Sequence, residues 1–217
     1  MLYVVGVGPG DPEHMSIKAV KTLERCDVIA GWRSVLERVL QHHPQLGVKE
    51  LVFLSYKNQD DELRRLAEKS KRRDVCVLAH GDPTVSDWEF LERIREAAGD
   101  FAIVHSVSSI NVALGKLGLD LAHVLFVSMH ASSPQDPLEA ARLAARKRAL
   151  VIFPPPRPDG PVEVAKRLAP EFAKCRAWVL EELTIADRIW RGTVEELTNA
   201  EGHFSDLSIV VVDCRDA

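Results

Sequence analysis

The sequence predicts an α/β protein of two lobes, the N-terminal one built on a parallel sheet and the C-terminal one on a mixed sheet. Three observations carry this. Short apolar runs alternate with helical patterns through the first half, the rhythm of successive βαβ units. Towards the C-terminus the apolar runs are joined by loops short enough for antiparallel pairing. The chain of 217 residues, 46% hydrophobic and 28% charged, can bury two cores and is too ordinary in composition for a disordered or fibrous protein. The lobes are expected at residues 1–112 and 113–217, with the changeover between 106 and 122.

Residues 2–7 are a continuous apolar run, as a doubly covered strand requires. A Gly/Pro loop follows. Ser16 is then placed to cap a helix reaching about Arg25, with Met15 and Val20 as a hydrophobic staple. Residues 27–30 read as strand, 35–40 as helix and 51–54 as strand. Residues 60–71 form an amphipathic helix with Leu63, Leu66 and Ala67 on one face. Strand 75–79, helix 88–97 and strand 101–105 continue the alternation, and an apolar helix over 108–117 stops at Gly118, a C-cap glycine. Beyond it come strand 124–128, a basic helix over 137–148, and strand 149–153, halted by Pro154-Pro155-Pro156. Helix 162–168 and strands 177–180, 188–192 and 207–213 complete the chain.

A net charge of −4 argues against a nucleic-acid-binding face. Every apolar run falls far short of the roughly 18 residues of a membrane span. The N-terminus reads straight into a strand without a basic export region, so the expected setting is the cytoplasm, away from membranes. In that setting Cys26, Cys76, Cys175 and Cys214, scattered and without a Cys-x-x-Cys pair, are expected to be reduced thiols. The eight histidines show no metal-ligand spacing, and no metal site is expected.

Three loops stand out. Gly6-Val7-Gly8-Pro9-Gly10-Asp11-Pro12 follows the first strand, and its glycines allow close approach to a ligand or simply a tight turn. It is no dinucleotide fingerprint, because Asp11 stands where the third glycine belongs and the prolines remove amide donors. His80-Gly81-Asp82-Pro83-Thr84-Val85-Ser86-Asp87 follows strand 75–79. Asp82 there suits either a polar cofactor or, more commonly, capping of the Thr84 or Val85 amide. His105-Ser106-Val107-Ser108-Ser109 precedes the apolar helix, with hydroxyls able to cap it or reach a ligand. If their strands are neighbours, the three loops converge on one rim. His130, the Arg142, Arg146, Lys147 and Arg148 cluster, and Glu181 with Glu182 read as satisfied or solvated polar groups. Trp32, Trp88, Trp178 and Trp190 suit either cores or an interface between subunits.

Val5-Gly6-Val7-Gly8-Pro9-Gly10-Asp11, then Gly81-Asp82-Pro83, then Ser108-Ser109 at a helix start, resembles the tetrapyrrole (corrin/porphyrin) methylases over almost the whole chain. Three further features are similar to the branch that methylates carbon 5 of precorrin-7 or cobalt-precorrin-7 in cobalamin synthesis. They are Cys26-Asp27-Val28-Ile29-Ala30-Gly31; Ser128-Met129-His130; and Glu181-Glu182-Leu183 with Asp187-Arg188-Ile189 and Gly192-Thr193-Val194-Glu195-Glu196-Leu197. The resemblance implies the two-lobed fold of that family, with S-adenosylmethionine held between the lobes. Carried over position by position, its contacts are Pro9, Gly81, Asp82, Val85, Ser108 and Ser109, with Pro154 and Leu183 as further matches. Thr84-Val85-Ser86-Asp87, Ala131-Ser132 and Pro154-Pro155 depart from that branch's habit, and the departures bear on the acceptor more than on the methyl donor.

The resemblance also implies an anionic tetrapyrrole substrate anchored by basic side chains, for which Arg33, Lys57 and Arg157 are loop-adjacent candidates. It implies a homodimer and a separate enzyme for carbon-15 methylation and decarboxylation. No residue is marked by spacing as a catalytic base. Alternatives at this stage are another corrin position or a protein as acceptor, a non-catalytic module that binds the donor or a tetrapyrrole, and, more distantly, a nicotinamide oxidoreductase.

Overall fold

At the centre of the first sheet the strands are buried on both faces. The computed structural model describes residues 1–130, 134–144, 147–201 and 203–215, and the chain divides into two compact units, Met1–Ser109 and Ile110–Ala217. In the first unit β1 (Leu2–Gly6), β2 (Val28–Trp32), β3 (Glu50–Leu54), β4 (Val75–Ala79) and β5 (Ala102–Val104) alternate with α1 (Ile17–Arg25), α2 (Arg33–His42), α3 (Gln59–Ser70) and α4 (Trp88–Ala98). The sheet order is β3-β2-β4-β1-β5 with every pair parallel. Alternate strand residues feed two cores, as a period of two demands. Val5, Ile29, Cys76 and Leu78 pack with Ala19, Leu23 and Leu36 from α1 and α2. Val4, Val28, Val75 and Val77 pack with Leu63, Leu66 and Ile94 from α3 and α4.

The predicted caps are in place. The Ser16 hydroxyl accepts the Ala19 N–H at 3.0 Å, and Met15 and Val20 meet in the core below it. Gly118 adopts φ 64° after α5 (Ser109–Leu117), where the Leu119 N–H reaches back to the Leu114 carbonyl at 2.9 Å.

The second unit holds β6 (Val124–Ser128), α6 (Pro137–Ala144), β7 (Ala149–Phe153), α7 (Gly160–Phe172), β8 (Arg176–Glu181), β9 (Arg188–Thr193), α8 (Val194–Thr198) and β10 (Ser208–Asp213). Its sheet runs β6-β7-β10-β8-β9, parallel between β6 and β7 and antiparallel elsewhere. Because β10 opposes both neighbours, β6, β7 and β8 all point the same way. Ile152, Val179, Val210 and Leu168 lie at the centre of this core.

Some boundaries differ from expectation. The α6 helix is described over Pro137–Ala144, with Lys147 beyond it in a turn; Arg146 of the anticipated basic cluster lies outside the described residues, as do Ala131 and Ser132. The α7 helix runs past Leu168 to Phe172 through Pro170, whose ring falls in the last turn. Short α8 was not anticipated, although Thr193 and Glu196 form a capping box at its start.

The expectation of reduced thiols is overturned. Cys26 is bonded to Cys76, with Cα atoms 5.9 Å apart, and Cys175 to Cys214, at 4.7 Å. The expectation rested on compartment, whereas strand adjacency decides which thiols can meet. Cys26 sits just before β2, which lies beside β4 and its Cys76, and Cys175 and Cys214 flank the β8–β10 pair. Among the described residues no helix is long and apolar enough to cross a membrane.

Candidate functional site

With all strands of the first sheet parallel, their carboxyl ends share one edge, where ligands of open α/β sheets sit. The three singled-out loops leave β1, β4 and β5, which are adjacent, so they converge there. Hydrogen bonds lock the convergence. The Gly8 N–H donates to the Gly81 carbonyl (3.1 Å) and the Gly81 N–H to the Gly8 carbonyl (2.9 Å). Ser106 joins the third loop to the others: its hydroxyl donates to the Gly6 carbonyl (2.7 Å) and its N–H to Asp82 Oδ2 (3.2 Å). A Cβ on Gly6 would stand 2.7 Å from the Gly81 carbonyl oxygen and 2.8 Å from Pro83 Cδ, so this approach requires glycine.

Asp82 is 7% exposed, and its carboxylate is spent on organising the rim. It accepts the Thr84 N–H (2.9 Å) and hydroxyl (2.6 Å), the Ser106 N–H, and His105 Nδ1 at 3.0 Å. Burial pushes its pKa up, but the Thr84 and His105 hydrogen bonds outweigh this and hold it below the ordinary value. The capping role read for this side chain is in place, and its carboxylate also ties the third loop to the second.

An ionised carboxylate only accepts, so His105 Nδ1 donates to Asp82 and Nε2 is the ring nitrogen left at the rim. The His105 side chain is 64% exposed, available at the rim. Sequence spacing missed this pair, because the two residues come from β4 and β5 loops that only sheet order unites. Nearby, burial and then the charge of Asp82 raise Asp87 to about 7. The His80 ring hydrogen-bonds the Pro9 carbonyl; loss of water around the ring, then the charge of Arg38, lower its pKa despite that bond.

Pro9, Gly81, Asp82 and Ser108 are buried at this rim, with Val85 and Ser109 partly exposed beside them. Pro154 and Leu183 belong to the second unit, after β7 and β8, at the edge where β6 also ends. There the His130 ring stacks on Phe153 (centroids 5.1 Å, 28°) and hydrogen-bonds the backbone of Pro154. Loss of water lowers the His130 pKa against that bond. Among the described residues, non-glycine residues with left-handed backbone occur at Ser86, Glu182, Thr184 and Asp187. They adjoin Val85 and Leu183, and such strain clusters at functional loops.

Residues 6–16, 80–87 and 105–109 include Asp11, Glu13, Asp82 and Asp87 and no Lys or Arg. These loops themselves supply no Lys or Arg for a phosphate, although the Arg38 guanidinium of α2 acts on His80. Of the anticipated anchors, Arg157 is tied to Asp159 and Glu163, Arg33 is paired with Glu37 at 3.1 Å, and Lys57 is exposed.

Residues 1–198 match the family described as Tetrapyrrole (Corrin/Porphyrin) Methylases. The chain is 27% identical to a probable cobalt-precorrin-7 C(5)-methyltransferase of Methanocaldococcus jannaschii, over 98% of each chain. It is 33% identical to a uroporphyrinogen-III C-methyltransferase of Methanobacterium ivanovii, over 57% of this chain and 56% of the relative. Among solved structures, the cobalamin-biosynthesis precorrin-6Y methylase of Archaeoglobus fulgidus superposes with a TM-score of 0.73 at 29% identity, covering 98% of this chain and 97% of that one.

Proposed function

The chain belongs to the tetrapyrrole (corrin/porphyrin) methylases, and we propose that within this family it methylates carbon 5 of cobalt-precorrin-7 or precorrin-7. As a family member it is an S-adenosylmethionine-dependent C-methyltransferase. The carbon-5 assignment is carried by one observation, the end-to-end match to a relative named for that reaction.

Bound S-adenosylmethionine supplies a methyl group on a positively charged sulfur, already activated for transfer. The residues present fit such a donor: the three loops carry carboxylates and no Lys or Arg, and let backbone approach closely at Gly6, Gly8 and Gly81. Pro9, Gly81, Asp82, Val85, Ser108 and Ser109 of the first unit, with Pro154 and Leu183 of the second, are the positions assigned to hold it. Asp82 contributes by its main chain and by fixing the three loops.

A conjugated ring carbon that gains a methyl group must shed its hydrogen as a proton to restore conjugation. Asp82 holds Nδ1 of His105, and Nε2 is the atom that accepts this proton; Asp82 then stabilises the imidazolium. Orientation and exclusion of water account for the rest of the rate.

The same reading takes the active species to be a homodimer and the carbon-15 step to belong to a separate protein. Incubation with methyl-labelled donor and cobalt-precorrin-7, followed by mass spectrometry, tests the assignment: a single added methyl group supports it and no turnover sinks it. A second acceptor is favoured by the higher identity to the uroporphyrinogen-III enzyme over part of the chain. Methylation of uroporphyrinogen III in preference to the corrin precursor would select that reading.

A further inference from the structure

Trp32 ends β2, and Tyr56 lies two residues beyond β3; their ring centroids are 4.7 Å apart with planes inclined at 48°. Tyr56 is 87% exposed. The Tyr56 ring thus stands in water with Trp32 against it. It is also held there. Asn58 Oδ1 accepts the Ser55 N–H (2.7 Å) and hydroxyl (2.9 Å), and Asn58 Nδ2 donates to the Phe53 carbonyl (3.1 Å), fixing the turn that carries Tyr56 and Lys57.

Two basic residues adjoin the pair in sequence, Arg33, which is ion-paired with Glu37, and Lys57. The Arg33 guanidinium lies 4.3 Å from the Phe53 ring centroid, with its side chain 67% exposed. Lys57 is exposed and has no ion-pair partner among the described residues. Faces of aromatic rings select a flat ligand, and exposed cations select carboxylates. Both features sit on the carboxyl edge that carries the Gly81-Asp82 loop, with β2 next to β4 and β3 next again, about 10 Å away at ordinary strand spacing.

We propose that Trp32 and Tyr56, with Arg33 and Lys57, form the seat for one side of a disc-shaped macrocycle bearing carboxylate arms. The far rings of the disc rest over β2 and β3 while its reacting edge lies at the loops of β4 and β1. This rests on the reading of the chain as a tetrapyrrole methyltransferase and names the surface that holds the acceptor.

The test is a titration of the full chain with uroporphyrin, a planar octacarboxylate, and with coproporphyrin, which has fewer carboxylates. Binding is followed by the shift of porphyrin absorbance. Uroporphyrin should bind the more tightly. Tyr56→Ala and Lys57→Ala should each weaken it about tenfold, with affinity for S-adenosylhomocysteine unchanged, which also certifies the fold. Undiminished binding in both variants overturns the proposal. So does ATP or an acidic peptide binding as tightly as uroporphyrin with the same loss, which would make the patch a nucleotide or protein surface. Porphyrin binding with the expected losses but no carbon-5 product would retain the seat and reject the carbon-5 assignment.

Discussion

His105 Nδ1 stands 3.0 Å from Asp82 Oδ2, and the same carboxylate accepts the Ser106 N–H, so one buried side chain both closes the rim and sets a histidine tautomer. On the proposed function, Nε2 of this ring takes the proton that the methylated ring carbon sheds. His105→Gln should lower turnover about a hundredfold, within the range for a lost general base, and leave S-adenosylhomocysteine affinity intact. In a single turnover S-adenosylhomocysteine should appear at nearly the wild-type rate while the fully conjugated product lags. Simultaneous slowing of both would make His105 structural.

Asp87 gives stability a pH dependence of definite sign. Its folded pKa of about 7 lies above the ordinary 3.8, so between those values the folded state binds more protons than the unfolded one. Stability then falls as pH rises through that window and levels off above about 7. Asp87→Asn should remove the slope, as read from urea midpoints at pH 5 and pH 7.5. Asp82 acts oppositely: its lowered pKa loses stability as pH drops towards its folded value.

Gly6→Ala should destabilise by about 1–3 kcal/mol, because the new methyl meets a backbone carbonyl that the Gly8–Gly81 bridge holds in place. Gly115→Ala is the contrasting case. That glycine is exposed inside α5 with nothing within 4 Å of a new Cβ, and the change should stabilise by roughly 0.5–1 kcal/mol. Urea denaturation of the two variants checks both signs.

The disulfides close separations of 50 and 39 residues, each stabilising by about 4 kcal/mol on the chain-entropy estimate. Cys26 and Cys76 are fully buried, whereas Cys214 is partly exposed. Timed reduction with thiol counting should therefore release Cys175 and Cys214 first, and thermal melts should fall in reductant. Equal release of all four thiols would contradict this order.

What was legible in the sequence was local. Hydrophobic period and caps located β1, α1 and β4, and the Gly and Asp-Pro loops marked the rim, because each signal lies within a few neighbouring residues. What was not legible depended on adjacency of strands distant in sequence. Cys26 meets Cys76, Asp82 meets His105 and Trp32 meets Tyr56 only because the order is β3-β2-β4-β1-β5. Asp82 shows the middle case: its residue type was read as important, while the division of labour between backbone and carboxylate needed the hydrogen bonds.

The most direct measurement is the position of the transferred carbon. Turnover of cobalt-precorrin-7 with a 13C-methyl donor, followed by NMR of the isolated product, should show one enriched methyl group on carbon 5 and none on carbon 15. Enrichment at any other ring position, or on no ring carbon at all, would contradict the account.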